Sequence, residues 1–233
     1  MLKMWFAELL NEPLENARWS YHVPVLLAAG PTPVTGWAIT FHAGATWATL
    51  SSVSIQKYSK CGMIWLRLLA GMFEFNMFGI PYNGADICGF IGETTEQMCQ
   101  RWVELGAFYP FSRSHNDKDS PQQDPATWDS VANAASKALM IRYRLLPYLY
   151  TLFYDSHTKG STVVRPLYHE YPKDSVTWTL DKQFLWGPAF MVTPVLEEDR
   201  TTVEAYFPDD VWYDYYTVSL IVWCVVLELI LNW

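Results

Sequence analysis

Several things are missing from this 233-residue chain, and each absence removes a class of function. There is no run of basic residues and the net charge is −8, which argues against nucleic acid as a partner. No Cys-x-x-Cys or His-x-x-x-His spacing marks a metal site. Neither a glycine-rich phosphate loop nor a Ser/His/Asp signature is present. Charged residues make up only 17% of the chain and apolar ones 51%, a balance that excludes intrinsic disorder. The C-terminal apolar run Leu220–Leu227 is cut by Glu228, and it falls short of the roughly 20 residues that a membrane-spanning helix needs.

What is abundant is aromatic. The chain carries 12 Trp and 14 Tyr, most of them explained as large aromatic cores. Flat aromatic faces also pack against the C–H faces of pyranose rings, which makes sugar binding a second use for some of them. The length suffices for a sizeable core in one or two domains. Four cysteines, Cys61, Cys88, Cys99 and Cys224, set no framework by their count alone.

Residues 1–70 are poorly specified. Pro24, Pro31 and Pro33 with Gly30 and Gly36 break any long helix, and only Thr35–Thr40 reads as a short strand. Order begins at Gly71. Met72–Phe78 suits the end of a buried helix stopped by Gly79. Ile80–Ile87 reads as a strand that ends at Asp86 and a glycine-rich loop. Thr94 with Gln97 resembles a capping box before a helix on which Met98, Trp102, Val103 and Leu105 recur. Trp128–His157 is the longest helical pattern, and Pro147 inside it predicts a kink or two helices. Thr162–Leu167 is a β-branched strand ending at His169. Gln183–Val195 and Val203–Phe207 read as strands with Pro/Gly turns. Strand, long helical excursion, strand, then a run of strands is an α/β pattern followed by a β-domain.

Three segments carry more than periodicity. They are Gly84-Ala85-Asp86-Ile87-Cys88-Gly89-Phe90, the stretch from Arg101-Trp102 to Phe111-Ser112-Arg113, and Arg165-Pro166-Leu167-Tyr168-His169-Glu170-Tyr171. In this order and spacing they resemble glycoside hydrolase family 31, the retaining α-glucosidases, with wording nearest the intestinal maltase and sucrase type. The resemblance runs from about Gly71 to Thr217. It implies the C-terminal portion of a (β/α)8 barrel over 71–180, the start of a β-sandwich over 181–217, and a non-family apolar tail over 218–233 that is exposed and aggregation-prone. It further implies hydrolysis of terminal α-linked glucose from oligosaccharides through a glycosyl-enzyme, with no cofactor and no metal.

Residue by residue, the resemblance makes His169 the histidine that hydrogen-bonds the glucose ring and Phe90 an aromatic lining the same pocket. Asp86, at a strand end, either orients sugar hydroxyls or caps a turn. The positions of Cys88 and Cys99 match a disulfide in the family, the alternative being two reduced buried thiols. Arg113, His115, Asp124 and Asp129 are expected to hold loops near the pocket mouth. The parent family belongs to the secretory pathway or the cell surface. Met1–Glu8 makes a poor signal peptide and the chain has no Asn-x-Ser/Thr site, which points to a beginning that is missing.

The family's two carboxylates are not found. No Trp-x-Asp-Met-Asn-Glu segment, which would supply the nucleophile, occurs in the chain, and no His-Trp-x-Gly-Asp-Asn segment, which would supply the acid/base, precedes Gly71. This chain is therefore expected to be inactive. The codons allowed for Lys60–Leu69, read two nucleotides out of phase, permit Met-Trp-Asp-Asp-Leu-Ala-Lys-Ala-Ile, which resembles the family text at that place. A shifted reading frame upstream of Gly71 is the prediction. Sequencing the coding DNA is expected to show the shift, and an uninterrupted frame in independent transcripts overturns it.

Overall fold

The computed structural model describes residues 17–21, 39–41, 63–90, 93–221 and 226–230. Along the chain the elements are β1 (Ala17–Tyr21), β2 (Ile39–Phe41), α1 (Met63–Met77), β3 (Asn83–Ile87), α2 (Glu96–Gly106), β4 (Arg113–Ser114), α3 (Asp129–Lys159), β5 (Val164–Pro166), the short α4 (Leu167–Glu170), β6 (Phe184–Trp186), β7 (Phe190–Val192), β8 (Thr202–Tyr206), β9 (Val211–Asp214), β10 (Leu220–Ile221) and β11 (Val226–Ile230). Of the expected strand 35–40, only its end falls in β2, and 35–38 lie outside the described residues, as do Cys61 and Cys224.

Two kinds of sheet divide the fold. β2, β3 and β4 form a parallel sheet in that order, and helices alternate with its strands along the chain: α1 before β3, α2 between β3 and β4, α3 after β4. Parallel strands need long crossovers, and helices supply them here. From β5 onward most pairing is antiparallel, in a six-stranded sheet of order β10-β9-β1-β7-β6-β5. β1 is the exception, parallel to both β7 and β9. β5 follows the long helix, yet it pairs antiparallel with β6 and so is stitched to the later layer. The apolar tail contributes β11, which pairs antiparallel with β8 from Val226↔Tyr206 to Ile230↔Thr202.

Local sequence explains most element boundaries. α1 stops at Met77, two residues before Gly79 at φ +80°. β3 starts at Asn83 rather than Ile80. Gly84 is required there, since a Cβ would sit 1.8 Å from the Phe111 carbonyl oxygen where the chain after α2 crosses the strand. The N-cap of α2 is Thr95, not Thr94: its Oγ1 accepts from Met98 N at 3.2 Å. Gln97 then falls outside the capping box and bonds Asp199 instead, through its side-chain amide at 3.0 Å. α3 runs unbroken for 31 residues through Pro147, so the two-helix alternative is not realised. It ends at Gly160, which takes the left-handed conformation at φ +71°. The segment that reads as a strand to His169 is extended only to Pro166 and then turns into α4.

One apolar core runs under both parts, from Met72 and Phe73 through Ile87, Trp102, Leu105 and the inner face of α3 to Phe184, Trp186 and Phe190. Polar side chains bridge its seams. Asn76 on α1 accepts from the backbone N–H groups of Val163 and Val164 at 3.0 and 3.1 Å, tying α1 to the start of β5. The Gln183 amide pairs with both backbone groups of Tyr206, which docks β8 beside β6. Most demanding is Arg142, only 3% exposed on the apolar stripe of α3. Its guanidinium donates to the carbonyls of Ala107, Tyr109 and Pro110 at 2.5, 2.6 and 2.9 Å. Burial lowers its pKa to about 10, with Tyr82 pulling the other way, so it stays charged at neutral pH.

Lysine presents a single ammonium point and cannot hold three carbonyls in a fork. Arg142→Lys is expected to lower stability by about 3 kcal/mol or more, read as a drop in the urea midpoint. Glu104 makes a second prediction. It is 2% exposed, 3.4 Å from Arg101, and burial pushes its carboxyl from 4.5 to about 7 against the pull of that arginine. A folded-state pKa raised above the unfolded one gives stability that is full at low pH and lost as pH rises toward 7. The contribution lost between about pH 4.5 and 7 is on the order of 2 kcal/mol. Glu104→Gln should flatten that part of the stability curve; an unchanged slope in urea melts across this window would count against the assignment.

Candidate functional site

Parallel strands β3 and β4 end side by side, with Asp86 opposite Arg113 and Ile87 opposite Ser114. The carboxyl ends of parallel strands are where α/β folds present functional side chains. Asp86 is completely buried, and its carboxylate accepts from Arg113 Nη2 at 3.1 Å. A buried carboxylate needs such a partner. This arrangement keeps Asp86 from solvent and ties the end of β3 to β4.

Beyond Asp86 the chain turns sharply. Cys88 and Gly89 both take left-handed backbone, at φ +72° and +92°, and Gly89 N donates back to the Asp86 carbonyl at 3.2 Å. A Cβ on Gly89 would stand 3.3 Å from the Trp102 indole on α2. Cys88 is joined by a disulfide to Cys99 in the first turn of the same helix, with Cα atoms 4.6 Å apart. The turn delivers Phe90, whose carbonyl accepts from Asp117 N at 2.9 Å and whose ring lies 5.2 Å from that of His115.

His115 is exposed, and Phe90 is half-buried beside it. An imidazole can donate to or accept from a hydroxyl, and an aromatic face next to it offers an apolar wall. Together they form an open polar–aromatic corner beside the pair of buried Asp86 and part-exposed Arg113. Arg113 and His115, expected to hold loops near the pocket mouth, lie beside Asp86 and Phe90 respectively. The sequence held a partial signal for this: His115 follows Arg113 by two residues, just past the end of β4.

His169 belongs to a different element, after β5. It sits on α4, and its ring stands edge-on to Tyr168 at 4.9 Å between centroids. Burial lowers its pKa, the Arg165 charge adds to this, and Glu170 opposes it, so the ring is neutral at pH 7. Glu170, next in sequence, forms an ion pair with Arg165. None of the contacts described for His169 reaches Asp86, Phe90 or His115. One residue beyond it opens a groove of about 930 Å³ lined by Tyr171, Asp174, Tyr206, Asp210 and Trp212 among others. Asp124 caps a short helical turn by accepting from Ala126 N at 2.8 Å, and Asp129 lies in the first turn of α3, where its charge suits the helix N-terminus. Among the described residues, no three His, Cys, Asp or Glu side chains converge as a metal would require.

Comparison with known proteins agrees with this architecture. Residues 65–152 match the TIM-barrel domain of glycosyl hydrolases family 31, and residues 160–226 match the C-terminal domain of the same family. Probable maltase-glucoamylase 2 from Homo sapiens is 55% identical over 152 residues, which are 65% of this chain and 6% of that protein. Lysosomal alpha-glucosidase from Mus musculus is 53% identical over 150 residues, 64% of this chain and 16% of the relative. A crystal structure of a Tris-bound glucosidase II alpha subunit superposes with a TM-score of 0.68 at 30% identity, covering 74% of this chain and 19% of that one. The chain spans less than a fifth of the length of each of these relatives.

Proposed function

This chain belongs to glycosyl hydrolase family 31, and from that membership we propose that it is the part of a retaining α-glucosidase that helps hold the terminal α-linked glucose of an oligosaccharide. The observation that carries the proposal is the Phe90–His115 corner at the ends of β3 and β4, backed by Asp86 and Arg113. Phe90 supplies an apolar wall for the sugar's C–H face, and His115 exchanges hydrogen bonds with its hydroxyls. Asp86 fixes the frame from beneath. In this reading the sugar's hydroxyls are met by His115 rather than by His169, whose ring packs on Tyr168 in α4.

Turnover needs two carboxyl groups about 5–5.5 Å apart, one to attack the anomeric carbon and one to protonate the leaving oxygen and then activate water. The sequence contains neither family segment that bears them. We therefore propose that this polypeptide binds but does not hydrolyse. The disulfide and the relatives' intestinal and lysosomal names support a place in the secretory pathway.

Binding and turnover separate in one set of measurements. Ligand-observed NMR with maltose is expected to show weak binding, in the millimolar range. His115→Ala and Phe90→Ala should each weaken it roughly fivefold or more, while His169→Ala leaves it nearly unchanged. No release of p-nitrophenol from p-nitrophenyl α-glucoside is expected. Turnover by this chain would overturn the binding-only reading, and loss of maltose binding in His169→Ala alone would return the site to α4.

A further inference from the structure

We propose that Cys88 and Cys99 are positioning residues for Phe90: their disulfide holds the sugar-facing corner in shape while the surrounding fold stands without it. This rests on the proposed reading of Phe90 and His115 as the sugar-facing pair. Cys88 is a non-glycine residue in left-handed backbone at φ +72°, a conformation that a free cysteine adopts only at a cost. The bridge to Cys99 fixes it there. Gly89, at φ +92° and against the Trp102 indole, continues the turn, so the direction in which Phe90 leaves is set two residues earlier by the covalent link. On the far side Phe90 meets, among other contacts, the 2.9 Å hydrogen bond from Asp117 and the His115 ring.

The fold has other ties at this end. Asp86 and Arg113 pair β3 with β4, Phe111 N donates to the Asn83 carbonyl at 3.0 Å, and α2 is anchored by Trp102, Val103 and Leu105 in the core. The loop closed by the bridge spans only 11 residues in sequence, so its release lowers stability less than opening a long loop would. What the bridge adds locally is the angle at Cys88. Phe90 and the imidazole it packs on are the groups that feel the change.

The test uses the full chain and its Cys88→Ser/Cys99→Ser double variant. The proton resonances of the His115 ring report the neighbouring aromatic directly, and a purely structural staple would not move them in a folded protein. The expected result is a double variant with an unchanged far-UV spectrum and a cooperative melt. Its His115 resonance shifts toward the position seen in Phe90→Ala, and its maltose affinity falls roughly fivefold or more. Gly89→Ala, with the bridge intact but a Cβ pressed on Trp102, should move the same resonance. An unshifted His115 signal in either variant overturns the proposal. So does loss of the cooperative melt in the double variant, which would make the bridge a tie of the whole fold. If wild-type protein binds no maltose, the sugar reading fails while the His115 resonance still decides the positioning.

Discussion

The buried guanidinium of Arg142 is the constraint on which most of this structure depends. A charge taken out of water must recover its hydration from fixed dipoles, and here it does so from three consecutive-turn carbonyls, those of Ala107, Tyr109 and Pro110. The fourth carbonyl of the turn, Phe108, is taken by the Trp186 indole N–H at 2.7 Å, and the same indole lies 5.7 Å from the Arg142 guanidinium. A turn whose carbonyls all point inward would be untenable alone. Helix α3 and strand β6 together make it tenable, and in doing so they bind the parallel and antiparallel parts of the fold to one point.

That point lies only a few residues before β4. With the 107–110 turn pinned, the chain re-enters the parallel sheet at a fixed place, and Arg113 arrives opposite Asp86. The Asp86–Arg113 pair then fixes the ends of β3 and β4 against each other, and the disulfide turn sends Phe90 across to His115. Structural and site residues are therefore consecutive links: a buried charge sets a turn, the turn sets a strand, and the strand presents the corner.

The same logic bears on the proposal that the corner binds without cleaving. Family 31 membership places this chain at the end of the barrel and the start of the domain behind it, whereas the carboxylates belong to segments that the sequence does not contain. Binding groups and reacting groups sit on different strands of a barrel, so one can persist in the absence of the other. A wall and a hydrogen-bonding imidazole are what the proposed binding without cleavage would draw on.

Much of this was legible in the residues. Gly79 as a helix stop, the long helix from Trp128, the paired strands around Gly187 and the segment Gly84–Phe90 all follow from local chemistry, because glycine backbone, helical spacing and β-branching act within a few residues. The motif order determined the family for the same reason, being a pattern in the chain itself. Other features depended on partners distant in sequence. Thr95 caps α2 in place of Thr94, and Gln97 is drawn off to Asp199, 102 positions away. Arg142 reads as an ordinary helical arginine until the turn 107–110 folds over it. His169, favoured by its neighbours in sequence, lies on a helical turn, while His115, just past β4, meets the Phe90 ring because β4 is parallel to β3 and in register with it. The sequence by itself determined which elements form and which family they make. Only the tertiary structure decided which histidine meets Phe90, since that depends on strand pairing and buried charge, neither of which is a property of any short stretch of chain.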